Sequence, residues 1–151
     1  MLTFDNQTQI YMKIKLLSVL TLFMLGTTFS QSLQSPSEFL GYEIGTRFTR
    51  YHQVVDYFKY VSNTVFNVKL EKYGETNEHR PLYVSYISSE ENIANLETIR
   101  KNNLSQSGII KGSTVNNKAI VWLSYNVHGN EASSTEAAML TLYELIKNKI
   151  N

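Results

Sequence analysis

An α/β domain built on a helix-flanked mixed sheet is the architecture this sequence predicts, and three observations predict it. Phe66, Val68 and Leu70 alternate with Asn67, Lys69 and Glu71, the period of a half-buried strand. Ala119 to Leu123, in "AIVWLSY", is an uninterrupted apolar run, which reads as a strand covered on both faces. Around these, apolar residues recur at helical spacing near Tyr51–Val61, Ile93–Ile99 and Ala137–Ile146. The predicted order is helix, strand, strand, helix, strand, helix.

The N-terminus reads as a processing signal. From Met12 the chain runs "MKIKLLSVLTLFMLGTTFSQS": two lysines, an apolar stretch from Leu16 to Leu25, then small residues at Thr28 and Ser30. That pattern predicts a secretory signal peptide over residues 1–30, with cleavage after Ser30 and a polar extension at 1–11 upstream of a better start at Met12. The product is expected to be secreted or periplasmic, with no membrane anchor after cleavage. Removing 1–30 takes away Lys13, Lys15 and Asp5, which turns 14 basic and 13 acidic side chains into twelve of each. A neutral mature chain with no basic tract gives no reason to expect nucleic acid. Cysteine is absent, so disulfides, thiolate nucleophiles and cysteine-based zinc sites are excluded.

Each element has its own signal. Residues 31–48 hold Pro36, Gly41 and Gly45 without a sustained period and read as an irregular lead-in. From Thr49, a candidate cap, Tyr51, Val54, Val55, Phe58 and Val61 form one helical stripe. "YGETNEHRP" is the turn between the alternating strand and "LYVSYIS", and the two strands are expected to pair as a hairpin. Ser88 or Ser89 opens the next helix, with Glu90 and Glu91 in its first turn where the dipole favours them; it is expected to dissolve in "KNNLSQSG". In the last helix, Ala137, Leu140, Tyr143 or Glu144, and Ile146 follow the helical period, and Ser133 and Glu136 have the spacing of a capping box.

The stretch with chemistry in it is "SYNVHGNEASSTEA", where the apolar strand stops and the last helix begins. His128 and Glu131 are both zinc-competent donors, Gly129 between them allows the backbone to bend, and loops beyond strand ends in such sheets are where ligands bind. Spacing alone is weak, since this composition produces one His-x-x-Glu by accident in roughly one chain in five. A histidine bonded to a carbonyl and a glutamate favoured by a helix dipole account for the same residues. Other chemistries find no support: there is no G-x-S-x-G, no G-x-G-x-x-G and no Walker loop. Arg80 is expected to pair locally with Glu78 or Glu75.

With its flanks, the segment "NVHGNEASSTEAA" after an apolar strand resembles the first zinc-ligand segment of the zinc carboxypeptidases, metallocarboxypeptidase family M14. "YGETNEHRPLYVSYIS" resembles that family's hairpin, in which a tyrosine-glycine turn leads to Glu-Gly-Arg-Pro-Leu and a strand; His79 stands where the family usually has glycine. The resemblance spans about residues 45–148 and implies the N-terminal half of a zinc-carboxypeptidase-like (phosphorylase/hydrolase-like) fold, with 49–151 as a partial catalytic domain. It implies Zn2+ as cofactor, His128 and Glu131 as its first two ligands, and the C-terminus of a peptide or protein as substrate. A third ligand, clamping arginines and a general base are implied to lie in later sequence, and neither His52 nor His79 matches a family ligand. The expectation is therefore a gene fragment or truncated form that has no catalytic residue of its own and is inactive alone. A zinc-dependent deacylase of N-acyl amino acids, and a secreted remnant that only binds, are the competing functions.

Overall fold

The computed structural model describes residues 3–24, 32–112 and 118–148. The chain divides into two compact units, Met1–Ser32 and Leu33–Asn151. Among its described residues the first contains one helix, α1 (Thr3–Met24), with Ile10, Tyr11, Ile14, Leu16 and Leu17 exposed. Among the described residues no helix is long and apolar enough to cross a membrane. The expected cleavage point after Ser30 lies outside the described residues.

The second unit begins with order in the stretch expected to be an irregular lead-in. Residues Pro36–Leu40 form a short helix, α2, started by a capping box. Glu38 N–H donates to Ser35 Oγ at 3.3 Å, and Ser35 N–H donates back to Glu38 Oε2 at 2.7 Å. Pro36 occupies the first helical position, where its missing N–H costs nothing. Gly41 closes the helix at φ 73°, a left-handed conformation that glycine adopts without a Cβ penalty.

Helix α3 (Tyr51–Thr64) follows the predicted period, with the buried row displaced. Tyr57 and Val61 are fully buried and Val54 and Phe58 partly so, whereas Tyr51 is exposed. Tyrosine at 57 is tolerated inside because its hydroxyl donates to Gln34 C=O at 3.1 Å, while Gln34 N–H donates to the Tyr60 hydroxyl at 2.9 Å. Phe39 from α2 meets both rings at 5.2 Å between centroids. Burial pushes the Tyr57 phenol well above its ordinary pKa, so it stays a donor at any physiological pH.

The hairpin forms as expected. Strands β1 (Val68–Glu75) and β2 (Pro81–Ile87) pair antiparallel, from Val68 opposite Ile87 to Glu75 opposite Pro81, with a bulge at Tyr73. Phe66 lies in the turn before β1 and points to solvent. The connecting turn is closed by Thr76 N–H to Arg80 C=O and His79 N–H to Thr76 C=O, both 2.9 Å. His79 takes φ 60°, so this position does require the left-handed backbone that glycine provides more cheaply. Arg80 pairs with Glu78 at 2.7 Å, the local ion pair expected of it.

Ser89 caps α4 (Glu90–Ala94), and after Asn95 the chain turns again as α5 (Leu96–Gln106). The polar "KNNLSQ" is helical rather than a loop, because lysine, asparagine and glutamine cost a helix only a few tenths of a kcal/mol each. Helix α6 (Ala132–Lys147) ends the described chain. The core joins α3, β1 and α6 around Tyr57, Val61, Val68, Met139 and Leu142, with Phe39 and Leu40 of α2 packed against it. The class is α/β, with helices against an antiparallel hairpin.

One predicted strand does not form. Residues 118–130 carry no regular secondary structure, and Ile120, Val121, Trp122 and Leu123 are all more than half exposed. An interior strand needs ladder partners for its N–H and C=O groups and a layer on each face. The hairpin pairs only with itself, and no described element covers this segment, so its apolar side chains stay in water.

Candidate metal site

Two hydroxyls of α6 fix the approach to the His128–Glu131 turn. The Tyr125 hydroxyl donates to Thr141 Oγ1 at 2.8 Å. Asn126 sits at φ 55°, a left-handed position that asparagine tolerates, and its Nδ2 donates to Thr135 Oγ1 at 2.5 Å. The sharp change of direction therefore occurs at Asn126 and not at Gly129, whose φ is not left-handed and whose Cβ position is open space. The glycine expected to bend the turn leaves that freedom unused.

Past the bend, Glu131 N–H donates to His128 C=O at 3.2 Å and Ser134 N–H to Glu131 C=O at 3.1 Å. This tight turn brings the two side chains together: His128 Nδ1 lies 3.0 Å from Glu131 Oε1. Both remain accessible, with 70% of the imidazole and 48% of the carboxylate side chain exposed. Glu131 is also the N-cap residue of α6, whose first turn has no side-chain cap. Its negative charge is thus favoured by the helix dipole while both its oxygens stay free of backbone N–H bonds.

The donor set fits a zinc ion on chemical and metric grounds. Imidazole nitrogen and carboxylate oxygen are both zinc ligands, with bonds of about 2.0–2.2 Å. Two ligands on a tetrahedral ion at such distances stand about 3.4 Å apart, so this pair would need to open by only about 0.4 Å. Among the described residues no group of three or more His, Asp or Glu side chains is placed to hold a metal ion. His52 lies at the start of α3, beside Phe48, Arg50 and Arg80, and the His79 ring stands 3.6 Å from Glu75 and almost fully exposed. Neither joins the pair.

Glu136 departs furthest from its expected place. It is not half of a capping box, because the helix begins at Ala132 and Ser133 already lies inside the first turn. Its side chain is buried with that of Thr135, and the inward row of α6 is Thr135, Glu136, Met139 and Leu142 in place of Ala137, Leu140 and Tyr143. Both carboxylate oxygens are satisfied from the segment before α3: Gly45 N–H donates to Oε2 at 2.7 Å, and Thr49 Oγ1 donates to Oε1 at 2.6 Å. Thr49, read as a cap for α3, is used here instead. Its spacing from Glu136 of 87 residues left no local signal to find.

A family model described as zinc carboxypeptidase matches residues 54–150, well over half of the chain and inclusive of both His128 and Glu131. No curated protein and no solved structure matches it.

Proposed function

Since this chain belongs to the zinc carboxypeptidase family, we propose that His128 and Glu131 are two protein ligands of a hydrolytic zinc site that acts on the C-terminal peptide bond of peptides or proteins. The observation that carries this reading is the approach of His128 Nδ1 to Glu131 Oε1 at 3.0 Å on an accessible turn inside the matched region. When bound, zinc supplies a Lewis acid and lowers the pKa of a coordinated water to about 7.

The roles of this chain's residues follow from their positions. His128 presents Nδ1 toward Glu131, and Glu131 offers a carboxylate whose charge the α6 N-terminus favours. Asn126 and Tyr125, held by Thr135 and Thr141, keep the turn seated on α6. Among the described residues two donors meet at this turn, and a catalytic zinc takes three protein ligands and leaves a position for water.

Export is part of the same proposal. The basic-then-apolar segment at 13–25 supports it, as does the division of the chain at Ser32/Leu33, close to the expected cleavage point. Calorimetric zinc titration of the chain against His128→Ala and Glu131→Ala tests the metal assignment. Each variant should lose at least about tenfold in affinity, the lower end of what even outer-shell changes cost at metal sites. Three indistinguishable isotherms would overturn it.

A further inference from the structure

A buried carboxylate with no ion-pair partner among the described residues calls for a reason, and Glu136 is such a group. Its exposure is 8%, and its partners are a backbone N–H at Gly45 and a hydroxyl at Thr49, distant in sequence and brought to α6 by the segment that leads into α3. The direction of the bonding is determined. Thr49 gives its one proton to Glu136, so at its other contact, 2.8 Å from the Tyr42 hydroxyl, it accepts and Tyr42 donates. Arg47 lies over the Tyr42 ring, 4.4 Å from its centroid. A chain of oriented dipoles thus runs from Tyr42 through Thr49 to Glu136.

The location of this chain gives it a consequence for the metal turn. Helix α6 starts without a side-chain cap, and Ala132 and Ser133 at its first two positions are exposed. The first buried side chains after Glu131 are Thr135 and Glu136, and both are spent on polar contacts. Thr135 holds Asn126, which carries the bend into the turn; Glu136 holds Gly45 and Thr49. The pair ties the helix start to Asn126 and to residues 45–49, and the helix start meets the turn through the bonds from Glu131 and Ser134 N–H.

We propose that Glu136 is a positioning residue for the His128–Glu131 pair, locking the start of α6 against residues 45–49 so that imidazole and carboxylate are held convergent before any cation arrives. The arm of the test that uses zinc rests on the metal assignment above; the arm that uses amide exchange does not. Glutamine is the conservative replacement: its carbonyl still accepts from Gly45, and its NH2 donates to Thr49, whose hydroxyl turns toward Tyr42. Alanine abolishes both bonds, and Thr49→Val removes one from the other side.

The experiment compares wild type, Glu136→Ala, Glu136→Gln and Thr49→Val by NMR amide-solvent exchange and by zinc titration. Exchange at Glu131 and Ser134 should rise about tenfold in Glu136→Ala relative to the β1–β2 amides, less in Thr49→Val, and return most of the way in Glu136→Gln. Zinc affinity should fall in the same order, by a few-fold to roughly thirtyfold for alanine, the range of coupling carried by residues that do not touch a ligand. Unchanged exchange at Glu131 and Ser134 in Glu136→Ala overturns the proposal. So does acceleration spread evenly into the hairpin, the mark of general destabilisation. Wild type that takes up no zinc, with the exchange pattern as expected, sinks the metal assignment and leaves the positioning role standing.

Discussion

Replacing His79 with glycine should stabilise the protein by about 0.5 kcal/mol, because the gain from relieving the backbone narrowly exceeds two losses. His79 holds φ 60° in the hairpin turn, where a Cβ meets the following carbonyl and costs about 1–2 kcal/mol relative to glycine. Glycine returns about 0.4–1 kcal/mol of that through the greater freedom of its unfolded chain. The imidazole also gives up its approach to Glu75 at 3.6 Å, but with 89% of the side chain exposed solvent screens most of that contact. The closing bonds of the turn involve only the backbone of residue 79 and survive the change. Urea denaturation reads the difference as a higher midpoint at unchanged m-value. His79→Ala is the control, since it keeps the Cβ and with it the strain. A gain for alanine equal to that for glycine, or a loss for glycine, refutes the strain argument.

Other positions make equally definite predictions. Met139, with 0% exposure at the centre of the core, should cost about 2–5 kcal/mol on truncation to alanine, read by the same denaturation assay. The Glu97 carboxyl is held at about 2 by its hydrogen bonds to the Arg100 guanidinium, below the ordinary 4.5. Because that folded-state value is depressed, its contribution to stability is complete above 4.5 and is lost as the pH falls toward 2; Arg100→Gln should raise the NMR titration of Glu97 toward the ordinary range, with Lys101 at 3.6 Å keeping part of the depression. Trp122, the only tryptophan and 76% exposed, should emit as a water-exposed indole and be quenched by acrylamide nearly as fully as the free amino acid. A blue-shifted, protected indole would mean that Ile120–Leu123 is covered after all.

The elements legible in the sequence are those whose signal is local. Alternation through Val68 and Leu70, with a five-residue polar turn before "PLYVSYI", specifies a hairpin within twenty residues, and it formed. The meeting of His128 and Glu131 was legible for the same reason, because a tight four-residue turn brings its ends together. Even α2 was written locally: "SPSE" spells a capping box with proline at the first position, and reading residues 31–48 for periodicity alone missed it. What could not be read depends on distant partners. Glu136 points inward because Gly45 and Thr49 offer it two protons, which rotates the buried row of α6 and takes Thr49 away from the cap it was expected to make. Ala119–Leu123 carries the composition of a covered strand, yet composition states a demand for neighbours and does not provide them.

The most direct test of the account is an NMR titration that follows the imidazole nitrogens of all three histidines as zinc is added to the chain. The Nδ1 signal of His128 should shift first and furthest, the shift should be lost in Glu131→Ala, and His52 and His79 should respond only at much higher zinc. Binding through Nε2 of His128, indifference to Glu131, or an equal response from the other two rings would contradict it.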